Sequence, residues 1–248
     1  MTFSIMGRCA RTGEVGVASA TVSLGVGGLC FWFTTRADVI ASQAYASKQT
    51  GHRIYLAIEG GETPDKAIEI PKAEDPNVVY RQLMILPRNG APKVYTGGEC
   101  RPWAGHIVQP NLVVAGNVLA GRHVIEAMVQ AFNGSEEENL DERLLRALEA
   151  GRDAGGQATT DGMPLAERSA SIRVVSGKDI GLQLQDLRVD MHNSAVHQLR
   201  QLFEVYKVYG PYSDLRERDP KNTPPMASFE AGMLGKGDAF SKRPSCYR

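Results

Sequence analysis

A threonine stands second in the chain, in MTFSIMGRC, and opens a run that alternates like a β-strand. If Met1 is removed, Thr2 carries a hydroxyl and a free α-amine on one residue, a nucleophile with its own base. If Met1 stays, Thr2 is an ordinary strand residue. The other reactive residue types are scattered. The histidines are His52, His106, His123, His192 and His197, and no two fall at zinc spacing on a helix. Cys9, Cys30, Cys100 and Cys246 contain no C-x-x-C and read as buried free thiols. Gly25-Val26-Gly27-Gly28 does not complete a dinucleotide fingerprint, because position 30 is Cys30. A Walker loop, a G-x-S-x-G elbow and an H-E-x-x-H helix are all missing from the sequence. No metal and no cofactor is called for.

The elements that must position Thr2 can be read from pattern. Phe3 and Ile5 point one way, and Thr2, Ser4 and Met6 the other. Arg11-Thr12-Gly13-Glu14 is turn material, so VGVAS closes a β-hairpin. SLGVGGLCFWF reads as a strand entered through tight turns, and VIASQA as another strand. The segment from Ser47 predicts a helix. Thr63-Pro64 opens a second helix, which Pro71 should interrupt or kink. YRQLMIL and KVYTG flank Arg88-Asn89-Gly90, a second hairpin. LVVAGN is a strand buried on both faces. Val124 to Phe132 and Leu140 to Leu148 have helical spacing. SIRVV and LQLQDLRV are late strands, and Val196 to Tyr206 forms the last amphipathic helix.

The chain has 248 residues, enough for one α/β domain with a sizeable core. Lys plus Arg equals Asp plus Glu, at 28 each, so no general field attracts nucleic acid or an anionic membrane. No stretch approaches the roughly 20 apolar residues of a membrane span, and the start lacks a signal-peptide pattern. The cytoplasm is therefore expected. After Tyr209 the composition turns to Pro, Gly and charge. Residues 1–209 are read as one domain, and 210–248 as an extended tail lying over the body or at a subunit interface.

MTFSI at the start, the T-G-x-x-G-V-A hairpin, S-Q-A, Y-R-Q-L, T-G-x-x-C-x-P-W-A-G-H, G-N-x-L-A-G and D-L-R-V-D follow in this order. Together they resemble the DUF1028 family over residues 1–208. The resemblance implies an N-terminal-nucleophile (Ntn) hydrolase-like fold. That is an α+β, four-layer αββα sandwich of two mainly antiparallel sheets flanked by helices. No established activity comes with the family. The sequence departs from the family pattern at SATVS and at GGQATTDGMPLAERSA, loops that would contact substrate.

Ntn chemistry assigns roles by position. Thr2 is the candidate nucleophile once Met1 is removed. Ser4 lies one pleat farther in and lines the pocket or bonds the α-amine. Asn117, ending LVVAGN, donates to an oxyanion or caps the next helix. His106, expected in a loop, is a candidate acid/base or substrate contact. Gln43, Gln82 and Thr96 are candidate substrate contacts. Asp186, Arg188 and Asp190 alternate on one strand face, forming a salt-bridge ladder or leaving Arg188 to anchor a carboxylate.

The first expectation is a hydrolase of a small or peptide-like amide, and a homo-oligomer. The alternatives are a non-catalytic binding or structural protein on the same sandwich, or a hydrolase whose crevice acid/base is His106 or the Asp186–Asp190 strand.

Overall fold

The computed structural model describes residues 1–234. The chain opens with β1 (Thr2–Arg8), β2 (Val15–Thr21), α1 (Val26–Leu29), β3 (Phe31–Phe33) and β4 (Val39–Ala44). Then come α2 (Lys48–Glu59), α3 (Pro64–Glu74), β5 (Arg81–Leu86), β6 (Lys93–Thr96), β7 (Gly105–Gln109) and β8 (Leu112–Asn117). α4 (Arg122–Asn133) and α5 (Leu140–Asp153) lead through β9 (Gln157–Ala158) and β10 (Pro164–Leu165) to β11 (Ser169–Val175) and β12 (Gln183–Val189). α6 (Ala195–Arg218) and α7 (Met226–Leu234) follow.

Two antiparallel sheets face each other. The larger has the order β12-β11-β2-β1-β8-β7, and the smaller β3-β4-β5-β6. Alternation along each strand divides the side chains between an inner and an outer face. Met6, Val17, Val113, Ala41, Met84 and Leu86 meet between the sheets. On the outer face of the smaller sheet, Ile40, Leu83 and Ile85 pack against Ile54 and Ile58 of α2 and Ile68 of α3. α4 and α5 pack on each other and cover the outer face of the larger sheet. The result is the expected αββα layering. β1, β2 and β8 lie inside the larger sheet, so their near-continuous apolar content matches burial on both sides.

Some local expectations are corrected. SLGVGG is not strand. Gly25 adopts a left-handed conformation at φ 64°, and α1 makes one short turn before β3. Gly27 lets that turn lie on β11: a Cβ there would stand 2.7 Å from the Ser171 Cβ. Pro71 does not end α3, which runs on to Glu74 with its ring buried on the sheet side. The missing N–H removes one helical bond, while the Pro71 carbonyl still accepts from Asp75 N at 2.9 Å.

The segment read as an extended tail is helical as far as it is described. α6 continues through Pro211, because Tyr206, Tyr209 and Tyr212 extend the helical spacing, and the 1–209 boundary falls inside it. One compact unit covers Met1–Leu199 and a second begins at Arg200. Within the second, Tyr212 stacks on Phe229 of α7 at 4.3 Å, and Tyr209 donates to Glu230 at 2.8 Å. Residues 235–248, with Cys246, lie outside the described residues. Among those described, no helix is long and apolar enough to cross a membrane.

α2 sits close on β3. A Cβ at Gly51 would lie 2.2 Å from two ring carbons of Trp32. Replacing a helical glycine by alanine gains up to about 1 kcal/mol of propensity. Overpacking against an indole costs about 1–3 kcal/mol, and so close a contact belongs at the upper end. Gly51→Ala is expected to lower stability by about 1–2 kcal/mol, read as a lower urea midpoint at unchanged slope. An unchanged or raised midpoint would contradict this packing.

Candidate functional site

β1 runs through the middle of the larger sheet and sends Thr2, Ser4 and Met6 to the inner face. Met6 joins the apolar layer, whereas Ser4 and Thr2 begin a polar region at the other end. Thr2 pairs in register with Thr21 on one side and Asn117 on the other. Its hydroxyl donates to Thr21 Oγ1 at 3.3 Å, and Thr21 donates in turn to the Met1 carbonyl.

The expected pocket residues are tied to one another. Ser4 Oγ lies 2.7 Å from Ser19 Oγ and donates to Gln43 Oε1 at 2.8 Å. Gln43 Nε2 donates to Gln82 Oε1 at 2.7 Å, and Asn117 Nδ2 donates to the same oxygen at 3.0 Å. Gln82 Nε2 faces the carbonyls of Gly105 at 3.1 Å and Gly116 at 3.0 Å, and Thr96 Oγ1 at 3.0 Å. Thr96 Oγ1 stands 2.8 Å from His106 Nδ1. Ser4, Ser19, Gln43 and Gln82 are fully buried, and Asn117 nearly so. Buried polar groups are costly unless bonded, so the network serves first to make this burial possible.

Register explains the convergence. Ser19, Ser4, Ala115 and His106 form one row across the larger sheet. Gln43, Gln82 and Thr96 form one row across the smaller. The two rows bond to each other. His106 is thus on strand β7 rather than in a loop, with its outer side exposed. Burial of its inner edge holds the imidazole below its ordinary pKa. Asn117 does not cap α4, which begins after Gly121 without a side-chain cap. Gln43 and Gln82 spend their amides on protein partners.

Arg188 stands apart. It occupies the same row, three strands from β1 and hence roughly 14 Å away. Both guanidinium contacts go to Asp186, at 2.7 Å each. The geometry shows the Asp186–Arg188 pair, with Asp190 contributing only a longer-range attraction.

Several neighbours of Thr2 carried no signal in the sequence. Thr21 and Ser19 are reached only through β2 pairing. The N-terminal amine is desolvated, which lowers its pKa, and Cys30, Arg101 and Cys100 lie within electrostatic reach. Burial pushes the Cys30 thiol up to about 11 and the Cys100 thiol in the same direction, so both are neutral at ordinary pH. The Arg101 guanidinium lies 5.6 Å from the centre of the Tyr45 ring. Its backbone carbonyl accepts from Val118 N at 3.1 Å. Val118, directly after Asn117, is left-handed at φ 56°, a strained conformation for a β-branched residue. No cluster of three or more potential metal ligands occurs among the described residues.

Residues 2–199 match the model of a family described as a family of unknown function, DUF1028. The chain belongs to the DUF1028 family. Protein SPO2555 from Silicibacter pomeroyi, a solved structure of that family, is 30% identical, with a TM-score of 0.73 over 83% of this chain and 86% of that one. Eukaryotic HslV from Trypanosoma brucei is 11% identical at a TM-score of 0.43, over 70% of this chain and 99% of its own. Anbu, an ancestral beta-subunit from Yersinia bercovieri, is 12% identical at 0.41, over 83% of this chain and 95% of its own. A comparison with curated proteins finds no match.

Gln82 has more hydrogen-bond partners than any other side chain of this network in the DUF1028 chain. Gln82→Leu would leave the Gly105 and Gly116 carbonyls and the Gln43 and Asn117 amides each short of a partner. An unsatisfied buried group costs about 1–3 kcal/mol. Gln82→Leu is therefore expected to cost at least about 3 kcal/mol in denaturant unfolding. A loss under about 1 kcal/mol would mean that the amide does not tie the sheets together.

Proposed function

We propose that this chain is an amidohydrolase of the Ntn type, acting on a small or peptide-like amide with Thr2 as nucleophile. One observation carries the reading. The hydroxyl of Thr2 sits at the first position of a rigid central strand, already hydrogen-bonded, beside a polar layer built from neutral side chains. Ser4, Ser19, Thr21, Gln43, Gln82 and Asn117 supply no carboxylate or amine to take a proton. The base must then be a terminal amine or a histidine.

Removal of Met1 would place that amine on Thr2 itself. Thr2 Oγ1 attacks the amide carbonyl carbon, and its proton passes to the α-amine directly or through one water. The carbonyl oxygen becomes an oxyanion. Asn117 gives one amide hydrogen to Gln82, and its second is the candidate donor to that oxyanion. Collapse breaks the C–N bond, and the ammonium proton leaves with the amine product. Water then hydrolyses the threonyl ester and restores the hydroxyl. An unperturbed α-amine has a pKa near 8, and the desolvation seen at this end of the sheet favours the neutral form that can act as base. A crevice acid/base draws less support: Asp186 is committed to Arg188, and His106 Nδ1 to Thr96.

Intact-mass measurement of protein from its native host is expected to show loss of Met1, and a retained methionine would end the mechanism. On a panel of amide substrates, Thr2→Ala is expected to lower kcat/KM by at least about 10³-fold while Thr2→Ser keeps measurable turnover. Equal turnover in wild type and Thr2→Ala would remove Thr2 from the chemistry. A homo-oligomer belongs to the same proposal. Light scattering is expected to give a multiple of the 26.9 kDa chain mass, and a monomer would refute it.

A further inference from the structure

We infer that His106 is a fixed hydrogen-bond donor at the mouth of the site, neutral and protonated on Nε2, its tautomer set by Gln82 through Thr96. The inference concerns a second polar group facing outward, and it holds whichever atom attacks the substrate.

The orientation of Gln82 can be read from its partners. One end of its carboxamide faces two backbone carbonyls, Gly105 O at 3.1 Å and Gly116 O at 3.0 Å. A carbonyl can only accept, so that end is the nitrogen. The other end is the oxygen, and the amides of Gln43 and Asn117 donate to it. Thr96 Oγ1 lies 3.0 Å from the nitrogen end. An amide nitrogen does not accept hydrogen bonds, and its two hydrogens are shared among these three acceptors, so Thr96 can only accept in that contact. Its own proton then points elsewhere. The acceptor within reach is His106 Nδ1, at 2.8 Å. A ring nitrogen that accepts carries no proton, so the proton of the neutral imidazole is on Nε2.

The backbone supports the same assignment. β6 and β7 place Thr96 and His106 at the ends of the two facing rows, so their approach follows from strand register. Burial of the inner ring edge disfavours the doubly protonated cation. His106 is an exposed residue, and Nε2 is the ring nitrogen that the Thr96 contact leaves unengaged. A neutral Nε2–H offers a hydrogen bond to a carbonyl or carboxylate oxygen of a ligand. In this state it cannot remove a proton from one, because Nδ1 is engaged and Nε2 is already protonated. Thr96 and Gln82 act through His106 as positioning residues.

The test is a long-range proton–nitrogen correlation spectrum of the full chain labelled with nitrogen-15 histidine. It is recorded about 1.5 pH units above the ordinary histidine pKa of about 6.5, with His106 assigned from the spectrum of His106→Gln. The expected pattern is a protonated Nε2 and an unprotonated, hydrogen-bonded Nδ1. Thr96→Val should admit a measurable Nδ1–H population, and Thr96→Ser should restore the single tautomer. Protonation on Nδ1 in the wild type would overturn the inference without any variant. Identical tautomer populations in wild type and Thr96→Val would overturn the role of Thr96. These readouts need no turnover, so they stand apart from the outcome for Thr2.

Discussion

The carboxamide of Gln82 lies between two β-sheets, away from water, and it has polar neighbours on both ends. An amide transferred to such a place without hydrogen bonds costs several kcal/mol. Here its nitrogen meets two carbonyls and a hydroxyl, and its oxygen meets two amides. Those partners come from β4, β6, β7 and β8, so satisfying one side chain sets the relative position of both sheets at this end. Small Ala115, opposite Ser4 and His106 in the larger sheet, leaves room for the amides to cross. At the opposite end the sheets meet through Met6, Val17, Met84 and Leu86, where packing supplies the contact and no direction is specified. Hydrogen bonds fix angles and partners, and the polar end is therefore where geometry is most closely defined.

That layer is built without a buried formal charge. Hydroxyls and carboxamides can be paired completely by one another, whereas a buried carboxylate or ammonium would need a counter-charge and extra bonds. Charged groups of this fold sit outside the layer: Asp186 holds Arg188 on the far strand, and Arg101 lies over Tyr45 at the rim. Neutrality also limits the chemistry. A layer of hydroxyls and amides can orient a nucleophile and stabilise developing negative charge, but it holds no proton acceptor of suitable strength. In the proposed reaction, proton acceptance falls to the terminal amine at the edge of the layer.

The outer helices keep this arrangement stiff. α5 backs β1 and β2, α4 backs β7 and β8, α2 backs β3 and β4, and α3 backs β5 and β6, so the strands that face across the polar layer are supported from behind. Rigid support of that kind lets Val118 remain left-handed after Asn117, with its N–H bonded to Arg101 and its carbonyl to Ala158. The loop that carries Cys100 and Arg101 is thereby drawn to the end of β1 where Thr2 stands.

Much of this was legible in the amino-acid sequence by itself. Alternation in TFSIMGR, the apolar run LVVAGN, the two hairpin turns, and the helical spacing from Val124 and Leu140 are local properties, and local sterics and periodicity determine them. So does the side of β1 on which Thr2 and Ser4 emerge. Short or irregular pieces were not legible: α1 depends on contact with β11, β7 lacks a clear alternation, and α6 outruns its composition because Tyr212 finds Phe229. The partnerships of the site were decided by tertiary structure alone. Ser4 and Gln43, Gln82 and Asn117, and Thr96 and His106 meet through strand register and the facing of two sheets. Arg188, of equally suitable chemistry, is excluded by three strands of distance and by Asp186. Pattern along a chain says which face a residue takes, but only the pairing of distant strands says what stands opposite it.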